Sequence, residues 1–308
     1  MMSEGSLLPI RKIRPSTKKK IRIYMFFLPA LGILGFCVVY PWIWSLFMSF
    51  HKWRISTGKP PTFIGLENYR YVLTNKDFQL AMLNSLKFMV ISVTLQFTCG
   101  LSLAVMLNRR LPFRKLIMVG ILLPYMLTPT MVGLVWKMLL NNSWGVINYY
   151  LRILGLQVPD WLGDPKTTMW TLGIITTWLH TPWCCLMLFS GLQAISDELI
   201  EASRVDGANS WQSFVHVTLP ALRPVLIIVI SFRIVFSLRE FDIIYSLYSS
   251  GGPGNSAMVM GVYLFNTFSK NWDIGRSSAI SFVMLLITFI LSTGIFMRKG
   301  DSYDSKLH

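Results

Sequence analysis

Long apolar runs decide what this chain can fold into. They lie at about residues 24–50, 81–107, 116–139, 168–192, 225–247 and 277–297. A helix needs about 20 apolar residues to cross the hydrocarbon layer of a bilayer, so six such runs predict an all-α, polytopic membrane protein with about six transmembrane helices. Composition agrees. Of 308 residues, 53% are hydrophobic and 14% charged, and the mean hydropathy is +0.51; a soluble domain carries about 25% charged residues. The first run is too long for a cleavable signal peptide and lacks a small-residue cleavage site. It must tilt or protrude, and Pro41 is placed to kink it. Pro124 and Pro129 interrupt the third run. Such breaks are tolerated where neighbouring helices cover the freed backbone.

The net charge is +15. On a soluble chain that would suggest nucleic acid; between membrane spans it reads as topology, because basic residues mark the cytoplasmic side. Arg11, Lys12, Arg14, Lys18, Lys19, Lys20 and Arg22 make residues 1–22 a basic cytoplasmic tail, within reach of anionic lipid headgroups. The Arg109–Lys115 turn, Arg204, Arg223, Arg298, Lys299 and Lys306 fall on the same side. Both termini are therefore expected in the cytoplasm, with a membrane domain at 23–297, a cytoplasmic loop at 193–223 and a short tail at 298–308. The bias is incomplete, since Lys52, Arg54, Lys59, Arg70 and Lys76 fall in outer segments. Cys37, Cys99, Cys184 and Cys185 all lie in apolar runs, which suits small buried hydrophobes better than a disulfide framework or a metal site.

One segment between the runs is polar and acidic: Glu201-Ala202-Ser203-Arg204-Val205-Asp206-Gly207-Ala208, continuing to Leu219-Pro220 and Pro224. Ser196 or Asp197 can cap a helix here, and Asp197 and Glu198 suit its first turn. Leu199, Ala202 and Val205 share one face. Gly207 is placed to stop the helix in a left-handed cap. Ser210 is expected to cap a second short helix through Phe214 and Val217, which Pro220 and Pro224 end as the next span begins. The result is a compact helix-turn-helix knob outside the membrane.

Charges at membrane depth are costly and functional. The fifth run carries Arg233, Arg239, Glu240 and Asp242. Arg233, Phe236, Ser237 and Glu240 fall at i, i+3, i+4 and i+7, one helical face. Thr176, Leu179, His180 and Trp183 repeat that spacing in the fourth. Hydrogen-bonding groups beside flat rings suit a sugar, whereas pairing of Arg233 and Glu240 with a partner subunit is the competing reading. Asp242 is expected in an ion pair, with Arg239 or Arg276, or at the substrate. His180 has no second metal ligand at helical spacing. No Gly-x-x-x-x-Gly-Lys-Ser/Thr loop is present to cradle ATP, and no nucleophile–base pattern suggests an enzyme.

The Glu201-Ala202-Ser203, Asp206-Gly207-Ala208 and Leu219-Pro220 pattern resembles the signature loop of permease subunits of bacterial ABC importers. Ser203 stands where that family usually has alanine. Phe63-Ile64-Gly65-Leu66-Glu67-Asn68-Tyr69, Asn141–Asn148, Trp161–Pro165 and Gly251-Gly252-Pro253 match segments of its sugar-transporting members in kind and order, and the likeness covers about residues 24 to 297. The resemblance implies the type I importer permease architecture. It makes Glu201, Ala202, Ser203, Asp206, Gly207, Ala208, Leu219 and Pro220 the element that couples to an ATPase. It also makes Thr176, Leu179, His180, Trp183, Arg233, Phe236, Ser237 and Glu240 the sugar path, by analogy with maltose-type permeases. The implied partners are a second, non-identical permease, two ATPase subunits carrying ATP and Mg, and a periplasmic or extracellular solute-binding protein. The implied setting is the bacterial inner membrane and the implied cargo a carbohydrate, with a polyol or glycerol-phosphate solute as the alternative. A gradient-driven transporter using Glu240 or Asp242 is the reading from another class; it would need no ATPase.

Overall fold

The computed structural model describes residues 17–109 and 111–304. Most of the expected basic tail, Arg110 and residues 305–308 lie outside them. Helices α1 (Thr17–Leu34) and α2 (Tyr40–Ser49) form one rod, joined by a π-helical turn at Gly35–Val39. The wide turn falls just before Pro41, where a regular turn could accommodate neither the proline ring nor its missing N–H. The rod begins at Thr17, inside the basic stretch. A two-residue hairpin follows, β1 (His51–Lys52) against β2 (Thr62–Phe63), then α3 (Glu67–Thr74). Next comes α4 (Lys76–Leu107), capped by the Asn75 side chain, which accepts from the backbone N–H groups of Asp77 and Phe78.

The third span is broken more sharply than two prolines alone require. Its halves, α5 (Arg114–Leu122) with a 3₁₀ turn to Met126 and α6 (Pro129–Leu139), stand 95° apart. After α7 (Val146–Ile153) comes α8 (Pro165–Gln193), its start capped by Asp164. Then follow α9 (Asp197–Val205), α10 (Ser210–Ser213), a π-helical stretch at Phe214–Thr218 and α11 (Leu219–Leu238). The chain ends its described part in α12 (Asp242–Tyr248), α13 (Met260–Ser269) and α14 (Ile274–Asp304). Among the described residues five helical segments are long and apolar enough to cross a bilayer, and the bent pair makes a sixth if taken as one span.

Lipid is as apolar as leucine, so these helices gain nothing from merely leaving it; they associate through close packing and buried polar contacts. The central pair, α4 and α8, shows the close packing, and the contacts of α4 with α11 and α13 show the polar bonds. A Cβ on Gly100 would stand 2.6 Å from Cys184 Cβ, and one on Gly173 would stand 2.6 Å from Ile91 Cγ2. Ser92 and Ser237 share a 2.8 Å hydrogen bond between α4 and α11, and Ser85 accepts from the backbone of Met260 at 2.8 Å. Leu172, Ile175, Leu179 and Leu188 of α8 are fully buried among these neighbours. Two cysteines depart from expectation: Cys184 and Cys185 are buried, but Cys37 and Cys99 are exposed on the outward sides of their helices.

Connections across the bundle sort the loops into two faces. Ile55 N–H donates to Trp272 O and Asn84 holds the backbone of Asn255 and Met258, so the segments near residues 50–75 and 249–273 share one face. Trp161 donates its indole N–H to Asn148 on that face, turned inward as a strut rather than left at a membrane boundary. The turn after α4 and the knob at α9–α10 share the other face, where Gln193 donates to Asn108.

Candidate functional site

Two places on the chain can do work, and α11 joins them. The first is the knob. α9 has Asp197 and Glu198 in its first turn, and Gly207 sits at φ 83°, where any other residue is strained. Ala208 N–H donates to Ser203 O at 3.0 Å and Gly207 N–H to Arg204 O at 3.1 Å, the paired bonds of a Schellman cap. Ser196 occupies the position before the helix but makes no side-chain cap. Ser203 explains its own presence: its hydroxyl bonds Ile200 O and the Ser213 hydroxyl, each at 2.8 Å, and so fastens α9 to α10.

The second half of the knob differs from expectation in two ways. Asn209, not Ser210, caps it: the Asn209 side chain accepts from Gln212 N–H while Gln212 accepts from Asn209 N–H. Nor do Pro220 and Pro224 end a helix. The π-helical stretch at Phe214–Thr218 widens the coil just where Pro220 offers no N–H, and the helix runs on from Ser210 to Leu238. Glu201, Ala202, Asp206 and Pro220 are exposed, Ala208 and Leu219 are half-buried, and Ser203 is buried. The predicted apolar stripe faces solvent, with Leu199 52% and Val205 86% exposed, and Trp211 beside it is 70% exposed. Exposed apolar surface rimmed by charge marks a contact for another protein.

The second place lies at membrane depth between α8 and α11. The eight residues expected there divide into two sets. Thr176, Leu179, Arg233 and Ser237 are buried inside this chain. Thr176 spends its hydroxyl on Leu172 O, Ser237 bonds Ser92, and Arg233 Nε donates to Gln96 Oε1 at 2.7 Å. The Ser237 and Arg233 bonds fasten α11 to α4. His180, Trp183, Phe236 and Glu240 are the accessible set. Trp183 stands edge-on to Phe232, ring centres 6.1 Å apart, and Phe232 stacks with Phe236 at 6.2 Å. His180 Nε2 meets Glu240 Oε2 at 3.2 Å, and the Tyr125 ring lies 6.5 Å from the histidine. The result is an aromatic wall with a polar pair at its end.

Helix breaks position that pair. α11 stops at Leu238, so Glu240 is not on the helical face that its spacing implies; it sits on the short link to α12 and reaches across to α8. Tyr125 sits on the 3₁₀ turn of the other broken span. Both Arg233 and Glu240 have partners within the chain. Among the described residues Asp242 has no ion pair with Arg239 or Arg276; Arg276 is taken by Asp273 at 3.6 Å. His180 Nδ1, Thr181 Oγ1 and Gln96 Nε2 are buried without a hydrogen-bond partner among the described residues. Gln96, Phe232 and Tyr125 were not picked out by sequence. Phe232 is four residues before Phe236 and Gln96 is the lone amide in the middle of its span, so a search for polar and aromatic residues on all spans together would have reached both.

Comparison with known proteins gives a consistent family. The model of the family described as binding-protein-dependent transport system inner membrane component matches residues 96–299. The trehalose/maltose transport system permease protein MalF of Thermococcus litoralis is 35% identical over 280 residues, covering 90% of this chain and 92% of its own. A probable ABC transporter permease protein of Sinorhizobium fredii is 35% identical over 297 residues, 96% of this chain and 94% of its own. Among solved structures, a chain of a bacterial ABC transporter involved in import of the acidic polysaccharide alginate aligns with a TM-score of 0.80 at 21% identity, covering 91% of this chain and 96% of that one. At that identity the likeness is one of fold.

Proposed function

Because the chain belongs to the family of binding-protein-dependent transport system inner membrane components, the permeases of ABC transporters, we propose that its cargo is a carbohydrate, passed along the wall of Trp183, Phe232 and Phe236. The observation that carries this reading is that wall with its polar end. A sugar ring offers an apolar face to an aromatic and hydroxyls to its surroundings. Trp183 and Phe232 supply the faces; His180 and Glu240 supply a donor and acceptors 3.2 Å apart at the end of the stack. The named cargo of the Thermococcus relative, trehalose and maltose, supports the same class.

The cargo is delivered by a solute-binding protein. ATP and Mg act on two separate ATPase subunits, one of which receives the knob through Leu199, Val205 and Trp211. A second, non-identical permease completes the path. The setting is the bacterial inner membrane, with the knob in the cytoplasm. Closure of the ATPases moves the knob, and the spans pass between two arrangements with different affinity for the cargo.

The test is ATPase activity of the complex in lipid, with its neighbouring permease and ATPase, against binding proteins loaded with different sugars. Stimulation by one loaded binding protein, reduced at least tenfold by Glu201→Ala or Gly207→Pro, is the expected result. A chain that transports on an ion gradient without any ATPase would overturn it and move Glu240 to the role of proton site.

A further inference from the structure

Three of the five basic residues that break the charge bias of the loops, Lys52, Arg54 and Lys59, come together with Arg276 from the start of α14. Lys52, Arg54, Lys59 and Arg276 line one cleft of about 540 Å³ on the face opposite the knob, together with Glu67 and Asp273. The cleft lies between the hairpin, α3 and the first turn of α14, elements that take no part in the aromatic wall.

Its walls are fixed before anything binds. Asn68, 4% exposed, donates to Ser49 O and His51 O at 2.9 Å each, which pins α3 to the hairpin. Ile55 N–H donates to Trp272 O and Ile274 N–H to Trp53 O, both at 2.9 Å, which pins the hairpin to α14. Its charges are unequal. Asp273 is already shared by Arg54 at 3.3 Å and Arg276 at 3.6 Å. Lys52 and Lys59 have no ion pair among the described residues, and both are exposed. Glu67 sits in the first turn of α3, where the helix dipole already favours it. The Arg276 guanidinium sits over the Tyr71 ring, 3.6 Å from its centre, a cation–π contact that helps hold it in place. Four cations against two carboxylates leave the cleft short of negative charge.

We infer that this cleft is a socket for carboxylate side chains on the solute-binding protein. The inference rests on the import reading above and deepens it. A rigid, wide, cation-rich hollow at the outer rim suits an acidic surface that docks and leaves. Cations on long exposed side chains steer such a partner and raise its association rate. A sugar acid in transit would have to leave the hairpin and cross to other helices to reach Trp183.

The experiment measures binding-protein-stimulated ATPase activity of the whole complex against binding-protein concentration, with the double variant Lys52→Glu/Lys59→Glu. Both side chains are exposed, so the fold is not at stake. The half-stimulating concentration is expected to rise about tenfold at low salt with the maximal stimulated rate retained, and the gap to the unaltered complex is expected to narrow as salt screens the charges. Equal half-stimulating concentrations at low salt would overturn the socket. A defect seen only with acid sugars as cargo would overturn it in favour of a sugar-acid site. A defect seen only in vesicles containing anionic lipid would overturn it in favour of a headgroup site. If no loaded binding protein stimulates the unaltered complex, the import reading and the socket fall together; if one does and the variant responds equally, the socket alone falls.

Discussion

Ser203 and Ser213 show how one residue's chemistry depends on another's. Both are nearly buried and their hydroxyls share a 2.8 Å bond. Ser203→Ala alone leaves the Ser213 hydroxyl unsatisfied and is expected to cost about 1 kcal/mol, while Ser203→Ala/Ser213→Ala restores most of it. Thermal unfolding of the purified complex would read both. At membrane depth the expected losses are larger. Gln96→Leu takes from Arg233 the acceptor of its Nε–H and should cost about 1.5–3 kcal/mol, as for hydrogen bonds to charged groups. Glu240→Leu, which leaves His180 without its partner, should abolish sugar-stimulated turnover while Glu240→Gln, still an acceptor, retains part of it; binding-protein-stimulated ATPase assays distinguish the two. The residue scale was only half legible in sequence. Spacing set Arg233, Phe236 and Ser237 on one face and His180 and Trp183 on another, and only the resemblance joined the two; spacing could not tell the inward edge of a helical face from the outward one, nor that Glu240 leaves the helix. That choice depends on which neighbour the helix packs against, here Gln96 and Ser92 from a span more than 130 residues away.

At the scale of elements, sequence fared best where backbone chemistry is local. Gly207 announced its cap, and Pro41, Pro124 and Pro129 announced irregular helix. It fared worst where a helix absorbs a defect. Pro220 and Pro224 read as terminators, yet the π-helical stretch before them supplies the slack and the helix continues. A bend of 95° in the third span was equally out of reach, because it is fixed by docking: α6 packs against α12, and a Cβ on Gly133 would collide with the Ser246 hydroxyl and the Ile243 carbonyl. Gly133→Leu is therefore expected to push α6 off α12 and to lower the yield of folded complex, measured by size-exclusion in detergent. Gly120→Ala, whose added Cβ meets nothing within 4 Å, is the control.

For the whole molecule, the fold follows from six apolar runs and the packing rules of lipid, and that much was readable from sequence alone. What it could not give is which surfaces stay uncovered. The upper part of the first rod is exposed nearly all round, from Met25 to Phe47; the aromatic wall and the knob are exposed too. The two faces of the molecule also differ in character: the knob presents leucine, valine and tryptophan, whereas the opposite cleft presents lysine and arginine. Raising salt should accordingly weaken stimulation by the binding protein more than attachment of the ATPase, and pull-down of each partner across a salt series would show it.

The unbroken run from Ser210 to Leu238 has a mechanical meaning. At 1.5 Å per residue it is a strut of about 40 Å. One end is the half of the knob that carries Trp211, and the other carries Phe232 and Phe236. The first true joint lies beyond them, at Arg239–Phe241, where Glu240 reaches over to His180. On the proposed coupling, a push on the knob travels like force on a tiller: the stacked rings swing with the shaft, while Glu240, past the pivot, is left clasped to α8. A cargo held between rings and carboxylate, as proposed, is then released by leverage. Two glycines inserted after Val215 would slacken that shaft, and ATP would then be hydrolysed without the rings moving, which a transport-to-hydrolysis ratio would record.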